Sequence, residues 1–165
     1  MDAALRIGHI LVSAATRHLG MGVSTGGTMQ RQLDDRTLVS GQIRPEDVPG
    51  LKELGVTLII NNRPDNEDPD QPASDDIEAA ARAAGIDYRH VPIARGLGPS
   101  DIEAMREAVN SCGEGKLFAF CRSGNRSALA WAVARSEDGV PSAELEAKAS
   151  AAGFDLGPVA HLIQD

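Results

Sequence analysis

The sequence predicts an α/β domain built on a mostly parallel sheet with helices on both faces. Three observations lead there. From Leu38 onward, apolar strand patterns alternate with longer helical ones. The apolar run Val56 to Asn61 is continuous, as in strands buried on both faces. With 165 residues and 42% apolar content, the chain is long enough for one such domain and too short for two ordinary ones.

The elements follow in order. The alternation begins at Leu38, and Pro45 suits the first turn of a helix that ends at Gly55. After the strand Val56 to Asn61, Ser74 is expected to cap an alanine-rich helix ending at Gly85. Ile86 to Ile93 is the next strand. Ser100 and Glu103 form an S-x-x-E capping box for a helix to about Ser111. The strand Lys116 to Phe120 leads into a glycine-containing turn, and helices over Ser127 to Ser136 and Ser142 to Ala152 close the domain. Trp131 reads as a helix-face anchor to the core. No internal repeat is visible.

Residues 33–165 are expected to be the catalytic domain and residues 1–32 a flexible N-terminal extension. Leu5 to Val12 is apolar but interrupted by Arg6, Gly8 and His9, too short to span a bilayer and weak as a secretory signal. Gly20 to Thr28 reads as a flexible joint, with Met21 and Met29 as alternative starts.

A formal charge of −8 and a pI near 4.9 exclude nucleic acid and stable association with an anionic membrane as expected partners. Two cysteines make no disulfide framework. Cys112 should lie at the opposite end of the sheet from Cys121, because the intervening strand carries the chain roughly 17 Å at about 3.3 Å per residue. That points to a reducing compartment, the cytoplasm. His9, His18 and His161 show no metal-ligand spacing, so neither a metal nor another cofactor is expected.

The chemistry is expected in the turn Cys121-Arg122-Ser123-Gly124-Asn125-Arg126-Ser127. A thiol between a strand and a helix N-terminus faces unpaired backbone N–H groups, which form an anion nest and favour the thiolate. Gly124 can take a positive φ cheaply, with Asn125 the next most tolerant type. Arg126 supplies a planar fork for two oxygens of an oxyanion. Ser127 is expected to cap the helix and donate to the thiolate. Arg122 and Ser123 complete the anion-binding loop.

Ligands of parallel sheets bind beyond the carboxyl ends of the strands, so the other strand-to-helix loops should converge on the same place. One holds Arg63, Asp65, Glu67 and Asp68, and another holds Arg95. Arg63, Asp65 and Arg95 are the substrate-binding candidates. His90 alternates with Tyr88 on one strand face and reads as a sheet residue.

A cysteine and an arginine on one strand–loop–helix turn resemble the signatures of cysteine-dependent phosphatases and of rhodanese sulfurtransferases. The order Leu38-Val39-Ser40-Gly41-Gln42, Ile59 to Glu67, His90-Val91-Pro92, the cysteine turn and Ala152-Gly153-Phe154-Asp155-Leu156 is more specific. It resembles the phosphatase-like domain of beta-lactamase hydrolase-like proteins, a bacterial family of sulfur transferases or phosphatases, over roughly Leu33 to Leu156. The resemblance implies the dual-specificity phosphatase fold, with a rhodanese-like sheet as the alternative.

Cysteine phosphatases place one more residue between cysteine and arginine than stands here, and usually carry histidine in place of Phe120. The shorter loop matches rhodaneses. On that basis Cys121 is expected to carry sulfane sulfur, as a persulfide, from thiosulfate or a low-molecular-weight persulfide to a thiol or cyanide. The alternatives are a phosphatase acting on phosphotyrosine or a small phosphoester, with Asp65 or Asp101 as general acid, and a thiol redox or anion-sensing module with a protein partner.

Overall fold

The computed structural model describes the backbone at residues 24, 25 and 28–165 and side chains from residue 30 onward. Apart from Ser24 and Thr25, the readings for Met1 to Gly27 lie outside the described residues. Five strands form one sheet: β1 (Arg31–Asp34), β2 (Thr37–Ser40), β3 (Val56–Asn61), β4 (Asp87–His90) and β5 (Lys116–Phe120). Their spatial order is β1-β2-β5-β3-β4, with β1 antiparallel to β2 and every other pairing parallel. β1 adds to the strands read from the sequence. Only Leu33 of its four residues is buried, so this edge strand has no apolar run to announce it.

The helices are α1 (Val48–Glu53), preceded by a 3-10 turn at Pro45–Asp47, then α2 (Ser74–Ala83), α3 (Pro99–Ser111), α4 (Asn125–Glu137) and α5 (Ser142–Ala151). A second 3-10 segment, Gly157–Leu162, ends the fold.

Three of the expected caps differ. Ser74 lies inside α2, because the Asp65 carboxylate reaches over from the preceding loop and accepts the Ser74 N–H at 2.8 Å. The Ser74 hydroxyl lies 2.7 Å from the Tyr88 hydroxyl. Pro99, whose fixed φ suits a first helical position, starts α3 two residues early, with Gly98 in the cap position expected for Ser100. Asp101 rather than Glu103 then closes the turn, accepting the Gly98 N–H at 3.0 Å. α4 begins at Asn125 with Gly124 as its cap, two residues ahead of Ser127.

Strand alternation splits the core into two layers. Along β5, Leu117 and Ala119 face one side, and Phe118 and Phe120 the other. The first side packs on α3, α4 and α5, and the second on α1 and α2. α4 is buried without interruption from Ala128 to Ala134, and it is apolar all round because it lies between α3, α5 and the sheet. Cys112 caps α3 and lies 3.7 Å from the Thr57 hydroxyl, at the opposite end of β5 from Cys121. Among the described residues, no helix is long and apolar enough to cross a membrane, and no group of three or more His, Cys, Asp or Glu could hold a metal ion.

Trp131 is the largest fully buried side chain. Trp131→Ala is expected to lower unfolding free energy by about 3–5 kcal/mol, read as a drop in urea midpoint at unchanged slope. The exposed Arg82→Ala should stay within about 0.5 kcal/mol.

Candidate active site

The parallel register brings four strand ends into one row. Ser40 pairs with Phe120, Phe120 with Asn61, and Asn61 with His90. The loops that follow therefore leave the sheet together. Asn62 N–H donates to Phe120 O at 2.8 Å and Ile93 N–H to Asn62 O at 3.0 Å, extending the pairing past the strands.

Cys121 is fully buried directly after β5. Its turn closes at Gly124, which has φ of 94° and donates its N–H to Cys121 Sγ at 3.1 Å. A side chain at Gly124 would be strained at that φ, and its Cβ would press on Ser40 C and O at 3.3 Å. From the other side, a Cβ on Gly41 would stand 2.8 Å from Arg122 O. The loop after β2 and the cysteine turn are thus stacked backbone against backbone. Phe154, from the Gly153-Phe154 motif, packs near the same turn and carries Arg31 over its ring at 5.3 Å.

Arg126 stands in the first turn of α4. Its Nη1 donates to Glu67 Oε2 and to Ile93 O, each at 2.8 Å, and its Nη2 donates to Glu67 Oε1 at 2.8 Å. The end-on edge of the guanidinium is therefore occupied. The side edge, Nε–H and the second Nη2–H, engages no carboxylate among the described residues, and Cys121 is near enough to act on the guanidinium charge. Hydrogen bonding to Arg126, with help from Arg63, holds the Glu67 carboxyl down at about 2 against an ordinary 4.5. The Arg126 guanidinium is raised in turn, first by Glu67 and also by the nearby Cys121.

Arg63, expected to face substrate, is instead an almost buried strut. It donates from Nε to Glu67 at 2.9 Å, from Nη1 to Gln42 at 3.0 Å and from Nη2 to Asp68 at 2.6 Å. Ser127 gives its hydroxyl proton to Asn62 Oδ1 at 2.7 Å rather than to the thiol, because it sits inside the helix. Asn62 Nδ2 in turn donates to Val91 O at 3.0 Å. His90 Nε2 lies 2.8 Å from Arg63 O.

Of the two acid candidates, Asp65 is turned to the start of α2. Asp101 lies by Gly98, which lines a cavity of about 520 Å³ together with Arg95 and Arg126. Arg122 is largely exposed, 3.7 Å from Asp68. The Asn125 N–H meets Ser123 Oγ only at 3.4 Å, while the N–H groups of Arg122, Ser123, Arg126 and Ser127 meet no acceptor among the described residues. Sequence reasoning missed the Glu67–Arg126 contact. The residues are 59 apart, and no local spacing announces the pair.

Residues 30–138 match the family model described as beta-lactamase hydrolase-like protein, phosphatase-like domain. A beta-lactamase hydrolase-like protein from Xylella fastidiosa is 38% identical over 127 residues, covering 76% of this chain and 29% of its own length. The chain therefore spans less than a third of that curated relative. A crystal structure of a "putative phosphatase" from Neisseria meningitidis is 33% identical, covers 77% of this chain and 90% of its own, and has a TM-score of 0.66. The kinase-associated phosphatase, solved with its catalytic-site cysteine replaced by serine, shares the fold at 16% identity and a TM-score of 0.58, over 76% of this chain and 83% of its own.

These likenesses overturn the expectation of a rhodanese-type sulfurtransferase, and the sheet is of the cysteine-phosphatase type rather than the rhodanese type. Loop length misled because a short turn does not run out of donors. With Gly124 left-handed and α4 starting at Asn125, four N–H groups and one edge of Arg126 remain for an anion. The cysteine turn, its arginine and the match over residues 30–138 agree, and the chain belongs to the family of phosphatase-like domains of beta-lactamase hydrolase-like proteins.

Proposed function

We propose that this chain hydrolyses phosphomonoesters through a phosphocysteine on Cys121, with residues 33–165 as the catalytic unit. The observation that carries the reading is Arg126, which Glu67 grips by one edge of the guanidinium while the other edge stays free of carboxylate partners near Cys121. Four N–H groups of the same turn, at Arg122, Ser123, Arg126 and Ser127, meet no acceptor among the described residues and add donors. Three equatorial oxygens of a transferring phosphoryl group need such an array, since catalysis of this step is positioning and electrostatic stabilisation.

In the first step Cys121 Sγ bonds to phosphorus while the bond to the leaving oxygen breaks. Asp101 is the proton donor assigned to that oxygen. Its Oδ2 is engaged by Gly98 N–H at the cavity edge, which leaves Oδ1 as the atom to carry the proton. Water then attacks phosphorus, and the S–P bond breaks to release phosphate and restore the sulfur nucleophile. Ser127 serves through its N–H, with its hydroxyl pinning Asn62. Arg122 and Asn125 contribute as members of the loop.

The reading is tested with p-nitrophenyl phosphate. Wild type should release phosphate and Cys121→Ser should not, with the phosphoryl group trapped on the wild-type cysteine by rapid acid quench and mass measurement. Absence of both hydrolysis and trapped phosphocysteine refutes it.

Asp101→Asn keeps an acceptor for Gly98 N–H. It should lower kcat/KM on alkyl phosphates by roughly 10²-fold or more, and much less on p-nitrophenyl phosphate, whose leaving group needs no proton. A purely structural role would depress both equally.

Glu67 gives a pH signature. Its folded-state value of about 2 lies below the ordinary 4.5, so the ion-pair cluster adds stability that is complete above 4.5 and lost as pH falls towards 2. The stability gap between wild type and Glu67→Gln should be constant above about pH 5 and narrow below it, measured by urea unfolding across pH.

A further inference from the structure

The cavity beside Arg126 has a composition that the phosphate chemistry does not require. Its volume of about 520 Å³ falls among small-molecule sites, which run roughly 300–1,000 Å³. Leu97, Leu129, Val159 and Leu162 supply aliphatic walls, Leu129 and Val159 from within the core and Leu97 and Leu162 from its partly covered edge. Among the described residues no carboxylate lines it, and its one ring is the imidazole of His161. Every charged lining group is basic: Arg95 and Arg126, with the exposed His161 beside them. In a chain of formal charge −8 that sign is local.

Continuity with the cysteine turn comes from Arg126 and Ile93. Arg126 Nη1 donates to Ile93 O at 2.8 Å, and both residues line the cavity. Arg126 is thus shared between the cysteine turn and the cavity, and an ester whose phosphate it holds would have the cavity within reach. Aliphatic walls reward burial of hydrocarbon, and the charges of Arg95 and Arg126 repel an amine.

We infer that the leaving group of the natural substrate is an aliphatic alcohol, seated in this cavity while its phosphate occupies the Cys121 turn. This rests on the phosphatase reading and narrows its substrate class to monomeric alkyl phosphomonoesters. In this assignment Asp101, whose carboxylate accepts the N–H of the lining residue Gly98, gives the leaving alkoxide its proton.

The test separates binding from turnover. Binding of n-alkylphosphonates with two to eight carbons, below their micelle concentrations, is measured calorimetrically on the wild-type full chain. Hydrolysis of p-nitrophenyl phosphate is followed in parallel. Affinity is expected to rise roughly fourfold per methylene until the cavity is filled, since each buried methylene contributes at about that level. Leu162→Asn and Leu97→Asn, each checked for an unchanged melting temperature, should flatten the series while inorganic phosphate affinity stays within about twofold.

A wild-type series that is flat in chain length, with aryl phosphate still hydrolysed, overturns the cavity assignment and leaves the phosphatase standing. A rising series with no phosphoester hydrolysed overturns the phosphatase reading and, with it, the substrate class. If phosphatidate in neutral phosphatidylcholine vesicles is hydrolysed while monomeric alkyl phosphates are not, a soluble substrate is ruled out.

Discussion

The contact between Glu67 and Arg126 is the constraint on which the site depends. A guanidinium offers an end-on and a side-on edge, and by filling the first Glu67 decides which donors remain near the sulfur. Its carboxylate is shared with Arg63, which is itself buried and tied to Gln42 and Asp68. A nearly buried guanidinium is tolerated only with such partners. One small ionic cluster therefore joins the loops after β2 and β3 to the first turn of α4. The low Glu67 pKa is the electrostatic trace of that joining.

Beneath the cluster lies a platform with little freedom. Three parallel pairings place Ser40, Phe120, Asn61 and His90 side by side, so the loops that follow begin level with one another. α4 is buried on all sides, which fixes the axis along which its N-terminal N–H groups point. Gly124 and Gly41 let two backbones stack where side chains would hold them apart. The turn is thus positioned by packing below and ionic contacts above, the arrangement that preorganised anion stabilisation requires.

A count of residues between cysteine and arginine was a poor guide to chemistry. It measures contour length, whereas anion binding depends on how many donors are left without partners and where they point. Gly124 spends one N–H on Cys121 Sγ, and its left-handed conformation allows the helix to begin at the next residue. The same economy explains why Ser127 is no cap. By its position it is already one turn deep, and its hydroxyl finds Asn62 instead.

The sequence by itself determined the alternation of strands and helices, the two-faced burial of the central strands and the strand–turn–helix setting of Cys121. Each of these is written in local periodicity or in residues adjacent along the chain. It left β1 unread, since one buried leucine in four residues carries no pattern. It also misassigned caps wherever a distant or preceding side chain captured the helix N-terminus, as Asp65 does at Ser74. Only the tertiary structure decided that Arg63 is a strut, that Asp101 rather than Asp65 borders the cavity, and that Glu67 aims Arg126. Those outcomes depend on side chains brought together across 59 residues by the register of the sheet, a distance over which no sequence spacing carries geometric information.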